Sequence, residues 1–183
     1  VDTIQDTAGN NIINENANTI TIGKSGDTIN LASGATNNLG ITEADQWRVT
    51  SNVYKASSSD VTANWEQIDT NSQGIIGSSM TQSSGIYLIL ANMYIYPDGN
   101  RTYCGLNIKV TTDNSTYSTA SEEVQHTTAG LNYISVASNI LLDVTDTSNV
   151  KIKLSYVASG GATVVGNTGE TKTAMTFIKL GNT

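Results

Sequence analysis

The sequence predicts an all-β chain: a jelly-roll β-sandwich over residues 43–183 behind a short trimeric β-repeat shaft over residues 1–42. Apolar and polar residues alternate in several runs of roughly eight to ten residues, the period of a half-buried strand. Turn-forming clusters such as Asp113-Asn114-Ser115, Ala129-Gly130 and Ser159-Gly160-Gly161 separate those runs. No stretch carries the 3.6-residue period of an amphipathic helix. Strands in series without helices build sandwiches, barrels or jelly rolls.

Composition narrows the class further. Charged residues make up 14% of the 183 residues and apolar ones 38%, so Ser, Thr, Asn and Gly supply most of the polar surface. Disordered chains are rich in charge and proline, whereas Pro97 is the single proline here. The net charge of −7 and pI near 4.4 repel phosphates, which argues against nucleic acid and anionic membranes as partners. No apolar run reaches the roughly eighteen residues that membrane insertion needs. No basic stretch followed by an apolar one marks a secretory signal.

The first forty residues contain no aromatic residue, and they repeat. Asn18 to Gly26 (NTITIGKSG) aligns without a gap on Asp27 to Ala35 (DTINLASGA), and a weaker copy starts with Asp2-Thr3-Ile4. Ile20 and Ile22, then Ile29 and Leu31, mark short strands with one apolar face. A unit this short cannot bury its own apolar residues. Repeats solve the problem by stacking, and three chains around a common axis would place Ile20, Ile22, Ile29 and Leu31 in a shared core.

From Glu43 the pattern changes, with Trp47, Trp65 and all eight tyrosines. Ile86 to Tyr96 (IYLILANMYIY) is the most apolar run, bounded by Gly85 and by Pro97-Asp98-Gly99, and its aromatic content favours a strand. Both of its faces are apolar. An antiparallel strand normally shows water one face, so this one is expected to meet the core on one side and a partner subunit on the other. Cys104, Leu106, Ile108 and Val110 form the next stripe, with Cys104 expected as a buried thiol. Ile134 to Val144, Val150 to Tyr156 and Thr173 to Leu180 continue the series.

The head segment resembles the C1q/TNF-like jelly-roll modules at the ends of phage and other viral fibres. Gln46-Trp47-Arg48-Val49-Thr50, Asn64-Trp65-Glu66, Gly77-Ser78-Ser79-Met80-Thr81-Gln82, Ser84-Gly85-Ile86-Tyr87-Leu88-Ile89 and Met175-Thr176-Phe177-Ile178-Lys179-Leu180 carry the likeness. The Asp-Thr-Ile repeats with their Gly-Lys-Ser-Gly turn resemble shaft segments of marine phage structural proteins. This resemblance implies a homotrimer whose last strand runs along the trimer axis. Tyr87, Ile89, Met93 and Phe177 are the residues expected in head trimer or core packing.

Catalytic constellations are weak. His126 is the only histidine, in the polar stretch 122–127, with Ser121 and Glu122 beside it in an expected turn. A triad needs a base held between a nucleophile and an acid, and sequence adjacency does not supply that. One His and one Cys cannot close a zinc site. Asp143, Asp146 and Asn149 cluster at a turn without the spacing of a calcium loop. Gly23-Lys24-Ser25 lacks the remainder of a phosphate loop. Neither an enzyme activity nor a cofactor is expected.

The resemblance implies a virion-surface structural protein, a phage head fibre or capsid decoration protein that contacts other capsid or tail proteins. Host surface glycans are a further expected partner, with Tyr94, Tyr96 and Tyr103 as aromatic contacts. The alternatives are a tail-fibre tip that binds a receptor and a secreted C1q-type glycan-binding module.

Overall fold

A computed structural model describes residues 3–5, 11–16, 19–22, 25–26, 28, 41, 43–68, 75–76, 79–80, 83–127 and 132–183. The chain divides into two compact units, Val1–Asn38 and Leu39–Thr183.

In the first unit β1 (Thr3–Gln5), β2 (Asn11–Asn16) and β3 (Thr19–Ile22) pair as an antiparallel meander in that order. Its register sets Ile4 opposite Ile13, and Ile13 opposite Ile22, so one row of isoleucine positions crosses the sheet. Strand β3 contains Ile20 and Ile22, as the alternation predicts. Strand β2 is a departure, because its Asn-rich run hides the pattern. Ile22 remains 53% exposed within the chain. Ile29 and Leu31, and with them the second nine-residue unit, lie outside the described residues.

The second unit is a two-sheet sandwich. In chain order its strands are β4 (Ala44–Val49), β5 (Val53–Lys55), β6 (Ser59–Asp60), β7 (Trp65–Gln67), β8 (Ile75–Ile76) and β9 (Ser79–Met80). There follow β10 (Gly85–Pro97), β11 (Arg101–Thr111), β12 (Ser118–Thr127), β13 (Ile134–Val144), β14 (Lys151–Ala158), β15 (Ala162–Val164) and β16 (Ala174–Gly181). One sheet runs β5-β15-β10-β16-β4-β7 with β13 on the other side of β10, and the second runs β12-β11-β14-β6. Strands β8 and β9 form a separate small hairpin. Of the segment 77–82, only β9 falls within the described residues.

Between the sheets lies one core. Alternate residues of β10, including Tyr87, Ile89, Met93 and Ile95, point into it and are fully buried. Leu106 and Ile108 of β11, Leu154 and Tyr156 of β14, and Phe177 of β16 meet them. The sixfold alternation of buried and outward residues along β10 is the period-2 pleat expressed over its whole length. Cys104 is buried beside the Tyr156 hydroxyl, Sγ to oxygen 3.6 Å, and burial pushes its thiol pKa up.

Residues 118–127 correct the sequence reading. They form strand β12 at the edge of the four-stranded sheet, and no turn interrupts them around His126. Every side chain of this strand from Glu122 to His126 is exposed, so neither face shows the apolar alternation that marks a strand. A charged, polar edge is how sheets avoid pairing with other chains.

Candidate subunit interface

Alternation on β10 leaves a second set of side chains facing away from the core. Leu88 sits between Leu141 of β13 and Ile178 of β16 in direct cross-strand register. Directly opposed apolar residues on one sheet face pack against each other, which gives a continuous aliphatic row. Leu141 is 67% exposed and Leu90, two residues along, 41%. Ile86 adds to the same face at the start of the strand.

Toward the other end of β10 the face becomes aromatic. The Tyr94 and Tyr133 rings stack with centroids 5.0 Å apart and planes 3° apart, and Tyr96 tilts against Tyr133 at 4.8 Å. The Lys172 ammonium lies 5.8 Å from the centre of the Tyr94 ring. Tyr133 was not singled out in the sequence, because it follows a turn and belongs to no clear stripe. Its partnership with Tyr94 and Tyr96 follows from the β10–β13 register. Tyr103 lies on the other sheet, so the three tyrosines expected to act together do not meet.

The four head residues singled out in the sequence, Tyr87, Ile89, Met93 and Phe177, all lie on the inner side of the sheet with 0% exposure. They are core residues of the single chain. The outward residues are their neighbours Leu88 and Leu90, a difference of one pleat.

A polar tie closes the base of this sheet. The Glu43 carboxylate accepts hydrogen bonds from Ser83 Oγ at 2.7 Å, Tyr87 Oη at 3.1 Å and Lys179 Nζ at 3.0 Å. Lys179 reaches across Gly85, whose φ of +150° and lack of a side chain both matter: a Cβ there would lie 2.5 Å from Lys179 Cε. Burial pushes the Glu43 carboxyl upward, but the hydrogen bonds from Ser83, Lys179 and Tyr87 outweigh it and hold the pKa below the ordinary 4.5. Burial, with Glu43 nearby, pushes the Tyr87 phenol up to about 12. With Glu43 neutralising Lys179, the cluster ties the entry of the unit to its last strand and leaves Ser83 no free base.

A group whose folded pKa is depressed stabilises the fold above its unfolded pKa, and that contribution disappears as pH falls through the folded value. Glu43→Gln is therefore expected to lower the urea midpoint at pH 7, with the gap to the parent narrowing as pH falls below the ordinary carboxyl value of 4.5. A gap that is as large at acid pH as at neutral pH would show that the carboxylate charge plays no part in the tie.

The polar clusters around Ser121, Asp146 and Asp60 are structural. Ser121 Oγ bonds Ser138 Oγ at 2.6 Å, while His126 lies exposed further along β12, so no triad forms. Asp146 accepts from Ser148 N at 2.8 Å and Asn149 Nδ2 at 2.6 Å, closing its own turn, and Asp143 sits apart on β13. Asp60 is raised by burial, yet bonds from Ser155 and Lys109, with Lys153 adjacent, bring its pKa below the ordinary range. Gly23 and Lys24 lie outside the described residues.

No protein-family model and no curated protein matches the chain. Solved structures match it by shape. Eiger TNF from S. frugiperda superimposes with a TM-score of 0.63 at 12% identity, covering 79% of this chain and 94% of that one. Murine APRIL at pH 8.0 gives 0.57 at 14% identity over 75% and 98%, and at pH 8.5 gives 0.56 at 13% over the same shares. The chain is all-β, and its sandwich is a TNF-like jelly roll.

Proposed function

We propose that this chain is a homotrimeric, non-enzymatic module in which a jelly-roll head, residues 43–183, is carried by a β-repeat shaft, residues 1–42. The observation that carries the reading is the outward face of β10 and its neighbours. A sheet face bearing Leu88, Leu90, Leu141 and Ile178 would waste apolar area in water, and such patches mark association surfaces. A second copy of the same chain is the occupant, because the repeat segment also has apolar positions whose partners must come from other chains. Three copies would supply partners for the apolar positions of each unit.

Within that frame the module is read as the adhesive head of a phage head fibre or capsid decoration protein at the virion surface. Its support is the hydroxyl- and amide-rich β-repeat, which serves as a stalk in place of a Gly-X-Y collagen segment. The likeness in shape to Eiger TNF and APRIL favours a second reading, a secreted C1q-type binding module of a cellular organism.

Light scattering during size exclusion tests the assembly: a mass near three times 19.3 kDa is expected. A clean monomer would leave a free β-sandwich and remove the shaft. Immunogold labelling of density-banded particles tests the setting. Gold on capsids is the expected result, gold on tails would move the protein to a tail-fibre tip, and unlabelled particles would favour the secreted module.

A further inference from the structure

We propose that Tyr54, Asp98 and Arg101 form a shallow saccharide-binding site at the sheet end beside the β10–β11 turn, taking a neutral pyranose. Tyr54 lies on the edge strand β5 and is 60% exposed. Its hydroxyl is nonetheless tethered. The hydroxyl donates to Asp98 Oδ2 at 2.8 Å, the Asp98 Oδ1 atom pairs with the Arg101 guanidinium, and Arg101 Nε donates to the Gly161 carbonyl at 3.1 Å.

The turn beneath is shaped to fit these side chains. A Cβ on Gly161 would lie 2.5 Å from Asp98 Oδ2 and 2.6 Å from the Tyr54 hydroxyl, and one on Gly160 would lie 2.6 Å from Arg101 Cζ. A side chain at 161 would displace Asp98 and Tyr54, and one at 160 would displace Arg101. Holding an exposed aromatic in one rotamer costs conformational entropy with little burial to offset it. Rigid, exposed aromatics are a feature of binding surfaces, where preorganisation lowers the cost of association.

The chemistry on the site selects its ligand. The exposed Tyr54 ring offers a face to the C–H side of a sugar ring. Asp98 retains acceptor capacity for hydroxyls, and Thr163, opposite Tyr54 in the β15–β5 register, adds a hydroxyl on the same face. An apolar peptide side chain would desolvate the Asp98–Arg101 pair without replacing its water. Sulfated or phosphorylated chains meet a protein of net charge −7. A neutral, hydroxyl-rich ring satisfies all of these. The site is complete within one chain.

Saturation-transfer NMR and calorimetry on the full chain would test this with chitotetraose, maltotetraose and β-1,4-galactotetraose, and with heparin as a polyanion. Binding of at least one neutral tetrasaccharide is expected, weakened about tenfold by Tyr54→Ala. Tyr54→Phe, which keeps the ring and loses its tether, is expected to fall between. Solution mass should be unchanged in both variants, so loss of binding is separated from loss of assembly. The proposal fails if none of the three neutral sugars binds, if Tyr54→Ala and Tyr54→Phe bind like the parent, or if heparin binds more tightly than every neutral sugar.

Discussion

Leu88→Asp is expected to dissociate the assembly into folded monomers of 19.3 kDa. Leu88 is the middle residue of the Leu141–Leu88–Ile178 row, and its side chain points away from the single-chain core. In one chain a carboxylate there can reach water, so the sandwich should still form. In a trimer it would be buried without a partner, at several kcal/mol per copy, and three copies would meet that cost together. The adjacent substitution, Ile89→Asp, gives the contrast. Ile89 is fully buried between the sheets, so the same carboxylate would unfold the chain itself. The measurement is solution mass together with the circular dichroism spectrum of both variants. A Leu88→Asp protein that keeps the parent mass would remove this face from the interface. A folded Ile89→Asp protein would mean that the inward and outward faces of β10 had been assigned the wrong way round.

Phe177→Ala is expected to lower the unfolding free energy by about 3–5 kcal/mol, the usual cost of removing a buried phenylalanine ring. Phe177 lies directly opposite Ile89 across the β10–β16 pair and is the only phenylalanine in the chain. The ring fills the middle of the core, where the surrounding strands are held by ladders on both sides and cannot collapse into the space. Against a typical domain stability of about 5–15 kcal/mol such a loss is large enough to read directly from denaturant curves. A change below about 1 kcal/mol would mean that the two sheets do not close on each other at this point.

Where the sequence was explicit, alternation made it so. The run Ile86 to Tyr96 shows two apolar faces, and the structure makes it β10, whose residues alternate between core and surface along its whole length. Ile134 to Val144 coincides with β13 because its stripe begins and ends on branched aliphatic residues. The all-β class follows from the same signal repeated between turns. Strand β12 was illegible for the opposite reason. It lies at a sheet edge with polar residues on both faces, and its strand state comes from hydrogen bonds to β11. Strand β2, with its run of asparagines, was hidden in the same way, being held by pairing to β1 and β3.

The candidate surfaces divide along the same line. From residue order alone it was clear that β10 would have an apolar surplus, because pleating has a fixed period of two. Which residues were inward and which outward was not clear, since Ile89 and Leu88 are chemically alike and only the position of the second sheet distinguishes them. Nor could the sequence bring Tyr133 onto Tyr94, or Tyr54 together with Asp98, Arg101 and Gly161. Those contacts join residues about 40 to 110 positions apart, and strand register in three dimensions decides them. Local pattern thus determined the strands and their apolar content, whereas long-range pairing decided which side chains face one another, because hydrogen-bonded register is a property of two strands and not of either alone.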